Sequence, residues 1–228
     1  WWITLIDLTD YETNRGWKLN EIVILILTFP SRESRIIETL LMKGILLNNL
    51  GSPDSTETKD VKKYLGEFLM DERVIDIPYW KRWLLIKGII LNIRPKKSGA
   101  AYKKIWTKDG SPLVLISQMF TKKIINKVNL PVALAMRYGS MSMEKGIQEL
   151  VNKGVTEIFL VPLYPHYAMS SYESVVTKAE EIIAERFPNL KLDVLPPFYN
   201  KSGYLEAMCN NIKNQLNNFE YDHILFSY

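Results

Sequence analysis

From Gly44 onward the chain alternates short apolar runs with longer stretches of helical period, and no other feature limits the fold so tightly. "GILLNNLG" (44–51), "VALAMRYG" (132–139), "EIFLVPLYP" (157–165) and "LKLDVLPP" (190–197) read as buried strands. A further strand is expected in the terminal "YDHILFSY" (221–228). Between the runs lie helical patterns. "STETKDVKKYLGEFLMD" (55–71) puts Val61, Tyr64, Leu65 and Phe68 on one face, with Ser55 as its cap. "YWKRWLLIKGIILNIRP" (79–95) is apolar and is expected to stop at or before Pro95. Residues 98–106, 113–128, 142–154, 171–187 and 203–219 complete the series, with Gly154 closing its helix. Strands separated by single helices predict an α/β fold with a doubly wound, mostly parallel sheet.

Composition agrees with a packed α/β domain and removes several functional classes. Of 228 residues, 47% are hydrophobic and 24% charged, enough to build a core. The net charge of +4 comes from 29 basic and 25 acidic residues, a mixed surface that does not point to nucleic acid. A single cysteine, Cys209, excludes an internal disulfide and a cysteine metal cluster. It falls in a helical pattern, where a small core residue is expected, and it fits a reducing cytoplasm. "GSPDST" after the first strand is neither a dinucleotide fingerprint nor a phosphate loop, which argues against a nucleotide enzyme. Residues 1–41 begin without methionine, and their longest apolar run, Ile22 to Leu27, is too short to span a bilayer. Met42-Lys43 ahead of a clean strand reads as the natural start, with 1–41 an extension outside the fold. The domain expectation is a first α/β domain over 42–197 and the start of a second over 198–228.

In an open α/β sheet the ligand lies beyond the carboxyl ends of the strands. Those ends offer Leu50, Arg137, Tyr138, Tyr164, His166, Tyr167, Ser170 and Ser171, with Arg94, Lys96 and Lys97 nearby in sequence. Aromatic faces with arginine suit a flat, apolar, anionic ligand, because rings stack on rings and guanidinium groups pair with carboxylates. Plainer readings stand beside this one. An arginine after a buried strand also suits a structural ion pair, a tyrosine there suits packing, and His166 without acid or thiol partners suits a loop hydrogen bond rather than a metal ligand. His223 precedes its strand and falls on the wrong side of the sheet.

Four motifs in order, "LLNNLGSPDS", "IRPKKSGAAYKKIWTKDGSPL", "AMRYGSMSMEKGIQEL" and "VPLYPHYAMSSYES", resemble ferrochelatase, which inserts Fe2+ into a porphyrin to make haem. The resemblance runs from Met42 to Tyr228. It implies two similar Rossmann-like domains around a porphyrin cleft, the second incomplete here. It implies Leu50 against the macrocycle, Arg94, Tyr102 and Ser111 around the porphyrin and its propionates, Arg137 and Tyr138 deep on the metal side, and Tyr164 and Ser170 as further matches. The spacing from Tyr102 to Ser111 is longer than in some relatives, and Met169 stands where some carry cysteine. The family's proton-accepting histidine is expected directly after Tyr228, so no catalytic residue is assigned within the chain. Ferrous iron is substrate, with no permanent cofactor and no resident metal. Association with a membrane surface suits the apolar product. Two alternatives stay open: a chelatase for cobalt or another tetrapyrrole, and a non-catalytic tetrapyrrole-binding domain.

Overall fold

A computed structural model describes residues 42–216 together with 223 and 225. The expected extension over 1–41 lies outside the described residues. So does most of the terminal strand; of it, His223 and Leu225 belong to no regular element, and Leu225 is exposed.

Strand β1 (Lys43–Gly51) is the spine of the sheet. It pairs in parallel with β2 (Val132–Tyr138) on one side and β3 (Glu157–Pro162) on the other, and β4 (Lys191–Val194) pairs in parallel outside β3. A strand covered on both faces must be apolar on both, and Ile45, Leu46 and Leu47 are all buried. The double proline Pro196-Pro197 follows β4, which is shorter than the expected 190–197.

Helices cover both faces. On one, Leu46, Ala133, Ala135, Ile158 and Leu160 pack with Met143, Ile147 and Leu150 of the β2–β3 crossover helix (Met143–Asn152) and with Val175, Ala179, Ile182 and Ile183 of the β3–β4 helix (Ser174–Arg186). On the other, Asn49 Nδ2 donates to Ser117 Oγ at 3.1 Å, reaching the helix Pro112–Ile125. Adjacent strand residues point to opposite faces, so Leu46 and Asn49 mark the two layers. Because β1 lies between β2 and β3, the chain leaves β1 in one direction and returns on its other side. That reversal puts the topological switch point at the ends of β1 and β3.

In chain order the helices are α1 (Thr58–Met70), α2 (Tyr79–Trp83), α3 (Leu91–Ile105), α4 (Pro112–Ile125), α5 (Met143–Asn152), α6 (Ser174–Arg186) and α7 (Ser202–Leu216). Three expectations need correction here. Helix α1 starts at Thr58 with Glu57 at its N-cap, so Ser55 does not cap it; Ser55 Oγ instead accepts from the Glu57 amide and donates to Asp60. The 79–95 segment does not stop at Pro95. A wide π turn (Leu84–Ile90) joins α2 to α3, Pro95 is buried inside α3, and the separate helix expected at 98–106 is the end of that same α3. An interior proline costs a helix about 3 kcal/mol. Tertiary packing of the buried Ile86, Leu91, Pro95 and Gly99 offsets it. Cys209 lies in α7 as expected but is exposed, and so are Leu205 and Met208 of that helix. The chain divides into compact units after Phe198, and α7 belongs to a different unit from the sheet.

Candidate functional site

At the exits of β1 and β2, beside the switch point, the backbone turns are fixed by glycine. Gly51 has φ +103°, and a Cβ there would sit 2.0 Å from the Tyr138 carbonyl oxygen. Gly139 has φ +98°, with the Ser52 carbonyl 2.9 Å from its hypothetical Cβ. The exits of β1 and β2 therefore pass closer than any side chain allows. This brings Leu50 and Tyr138 together.

They join an aromatic cluster. Tyr138 packs with Val61, Tyr64, Leu65 and Leu69 of α1, with Ile86, and with Leu91 of α3, while Leu50, Phe68 and Tyr102 lie against the same group. Tyr138 meets Tyr64 and Phe68 edge-on at centroid distances of 6.5 and 5.3 Å, and Tyr64 stacks on Phe68 at 6.2 Å. Tyr102 is edge-on to Trp106 at 6.1 Å. Helix α3 comes in closely because residue 99 is glycine: a Cβ there would lie 2.7 Å from the Thr56 carbonyl oxygen.

The phenols of this wall hold their protons. Burial pushes Tyr64 far above the ordinary tyrosine range, reinforced by the neighbouring phenols of Tyr102, Tyr164 and Tyr138. Burial likewise raises Tyr164 and Tyr138, in each case against the opposing pull of the Arg137 charge. Tyr102 is raised by burial, with Tyr64 and the charge of Arg94 drawing it back. The Tyr164 hydroxyl is buried without a hydrogen-bond partner in the structure. These groups are walls and proton donors at neutral pH, not bases.

Behind the wall lies a polar knot that joins three elements. Asp71, the residue capping the end of α1, accepts through Oδ2 from Arg137 Nη2 at 2.5 Å, from the Tyr138 hydroxyl at 2.8 Å and from Ser174 Oγ at 2.6 Å. Its Oδ1 accepts from the Arg73 amide at 2.9 Å. Arg137 Nε donates to both Oγ and the carbonyl of Ser174, the first residue of α6, at 2.8 and 3.1 Å. The guanidinium also lies 4.5 Å from the Tyr138 ring centroid. Burial alone would raise the Asp71 carboxyl. The hydrogen bonds from Ser174, the Arg73 amide and Tyr138, with the charge of Arg137, outweigh burial and hold it below the usual carboxylate value.

The structure thus gathers Leu50, Tyr102 and Tyr138 at one edge, with Arg137 tied in from behind; Tyr164 packs instead against the core on the α5–α6 side, near enough for its phenol to act on Tyr64. Arg94 is exposed on α3 and close enough for its charge to act on Tyr102. Ser111 is buried at the N-cap of α4 and makes no capping hydrogen bond. Ser170 is exposed in a π turn (Met169–Glu173) before α6, His166 is exposed in the preceding loop, and the exposed Tyr167 donates to Glu173. Ser111 and Ser170 are therefore not drawn into the tyrosine cluster. Asp71 and Ser174 are central and were not anticipated, since they lie 66 and 37 positions from Arg137 in the chain. A separate groove of about 460 Å3, lined by Glu72, Arg73, Tyr79, Arg82, Met169 and Glu173 among others, does not include the tyrosine wall. Within that wall Tyr138 and Tyr64 are buried, while Leu50, Phe68 and Tyr102 beside them are half-buried. Among the described residues, no group of three or more His, Cys, Asp or Glu side chains could hold a metal ion.

The ferrochelatase family profile matches residues 42–228. A ferrochelatase of Opitutus terrae is 44% identical over 189 residues, covering 82% of this chain and 54% of the relative. Ferrochelatases of Ectopseudomonas mendocina and Stutzerimonas stutzeri are 43% and 41% identical, covering 81% and 82% of this chain and 54% of each relative. The chain spans about half the length of the curated relatives it matches.

Proposed function

The chain belongs to the ferrochelatase family, and we propose that it forms one wall of the cleft in which Fe2+ is inserted into a porphyrin. The observation that carries this reading is the tyrosine wall at the switch point, with Leu50 beside it and the cation Arg94 at its α3 end. A porphyrin is flat, aromatic and carries carboxylates on one edge. Leu50 and Tyr102 would lie against the macrocycle, backed by the buried Tyr138 and by Tyr164 beside it, with Arg94 taking a propionate and Ser111 and Ser170 at the margins.

Insertion requires the ring to bend so that a nitrogen lone pair leaves the plane, and two pyrrole protons must depart. A rigid wall supplies the first, because shape complementarity to a bent ring converts binding energy into strain. The wall cannot supply the second: its phenols are held protonated, and Asp71 is a poor base, saturated with donors. On this reading the proton acceptor comes from elsewhere in the assembled active site. Iron passes through as substrate, so the mechanism asks for no resident metal.

The reading extends to a surface. No helix among the described residues is long and apolar enough to cross a membrane. Yet Tyr79, Trp80, Trp83, Leu84, Ile89 and Ile93 are all exposed on the α2–α3 segment. The sequence between Asp76 and Asp109 holds lysines and arginines and not one carboxylate. Arg82 and Lys103 pair with Glu72 and Glu57 from outside the segment, and apolar side chains amid the remaining excess of positive charge suit peripheral docking on an anionic lipid surface. The lone cysteine suits a cytoplasmic setting.

The test of the ligand class is a titration with a dicarboxylate porphyrin and with its dimethyl ester, followed by absorbance. The free acid is expected to bind several-fold tighter, and the advantage to vanish in Arg94→Ala. Equal affinity for acid and ester would remove the carboxylate from the account.

A further inference from the structure

The sequence left Arg137 between two roles, ligand contact and structural ion pair. The structure shows how one residue can serve the site through the other role. Arg137 Nε is bonded twice to Ser174 and Nη2 once to Asp71, which leaves its guanidinium plane no freedom to turn. That plane lies over the Tyr138 ring at 4.5 Å, while the Tyr138 hydroxyl donates to the same Asp71 oxygen. The ring is thus held at its face by Arg137 and at its tip by Asp71. The Asp71 side chain is only 5% exposed and Arg137 16%, so water competes little for these bonds. Asp71 itself lies behind the wall, and any influence on a ligand has to pass through Arg137 and Tyr138.

We propose that Asp71 is a positioning residue of the porphyrin-facing wall: its carboxylate fixes the Arg137 guanidinium over Tyr138 and so sets the tilt of that buried ring, against whose cluster the half-buried Leu50 and Phe68 pack. The consequence for binding rests on the porphyrin reading; the positioning itself does not. A charged acceptor suits this task, because charge-assisted bonds are shorter and more directional than neutral ones. An asparagine at position 71 keeps the shape, loses the charge, and can accept through only one of its two terminal atoms.

The experiment has two readouts on the full chain. The first is the Arg137 side-chain Nε–H signal in 15N–1H spectra, assigned by its loss in Arg137→Lys. It is expected to be protected from solvent exchange in the unmodified protein, to exchange at least tenfold faster in Asp71→Asn, and to regain protection in Asp71→Glu. Equal protection in Asp71→Asn overturns the proposal. The second is protoporphyrin affinity by fluorescence quenching, expected to fall about tenfold in Asp71→Asn and to recover in part in Asp71→Glu. Unchanged affinity in a folded Asp71→Asn, with affinity lost in Arg137→Ala, also overturns it. Should Asp71→Asn fail to fold by circular dichroism, Asp71→Ser takes its place: it removes the carboxylate that holds Arg137 Nη2, and faster exchange of the Arg137 guanidinium N–H signals is expected, with no change overturning the proposal. An unmodified chain that binds no porphyrin would sink the functional reading, while the exchange measurement would still decide the role of Asp71.

Discussion

Asp71 and Arg94 show at the residue scale what a sequence displays and what it hides. Arg94 could be picked out because it sits in a quoted motif, next to lysines, on a segment without carboxylates. Asp71 could not. It sits in "LMDERV" like any acid at a helix end, and its partners lie 66, 67 and 103 positions away. Pairing at that distance leaves no local trace in a single sequence. Two predictions belong here. The Asp71 carboxyl titrates lower in the folded chain than its ordinary value of about 3.9. Its stabilisation is therefore complete above that value and is lost as pH falls through the lower, folded-state value. Asp71→Asn should cost about 1–3 kcal/mol at pH 7, and the gap between variant and parent should close below about pH 4. Thermal unfolding across pH reads this; a gap that widens in acid would mean the bonds do not depend on the charge. The second is a contrast. Arg94→Ala should weaken porphyrin binding several-fold and Lys96→Ala less, because a planar guanidinium holds a carboxylate in two bonds where a hydrated ammonium holds it loosely. Parallel quenching titrations give the comparison, and a larger loss in Lys96→Ala would move the carboxylate anchor.

Among the elements, the strands were legible and the long helical segment was not. Each buried strand announced itself as a bounded apolar run, and the observed β1, β2 and β3 begin within one residue of those runs. Pro95 was read as a stop because local propensity says so. What overrides it is contact that only the fold creates: Pro95 faces inward, a π turn precedes α3, and Gly99 lets α3 lie against the backbone at Thr56. The third prediction follows from that approach. Gly99→Ala should destabilise the protein by about 1–3 kcal/mol, although alanine is the better helix former. The reason is that its Cβ would stand 2.7 Å from a carbonyl oxygen that cannot swing away. Chemical denaturation of the variant measures this, and a stability gain would show that α3 is not seated as described. Element boundaries at α1 moved for a related reason: Ser55 spends its hydroxyl on the turn before the helix, two residues ahead of the true N-cap.

For the molecule as a whole, strand–helix alternation was enough to fix a parallel α/β sheet, and the order β2-β1-β3-β4 then puts the switch point beside the cluster that holds Leu50, Tyr102 and Tyr138. Alternation alone could not give that order, since it depends on which side of β1 each crossover returns. The surface reading also belongs at this scale. Vesicles rich in phosphatidylglycerol should co-sediment the chain, phosphatidylcholine vesicles should not, and exchange of Trp80 and Trp83 for serine should release it. Binding that ignores both lipid charge and these tryptophans would remove the α2–α3 surface from the membrane. One wall of a cleft covers one face of a macrocycle. At about 25 cal/mol per Å2, a few hundred Å2 gives several kcal/mol before the cost of association. Micromolar affinity is what such a surface can reach. The measurement that bears most directly on the central claim is therefore a protoporphyrin titration of the chain, followed by tryptophan and porphyrin fluorescence. The account predicts saturable binding in the micromolar range, weakened in both Tyr138→Ala and Arg94→Ala. Absence of saturable binding at tens of micromolar (about the limit for one apolar face), or an affinity indifferent to both substitutions, would contradict it.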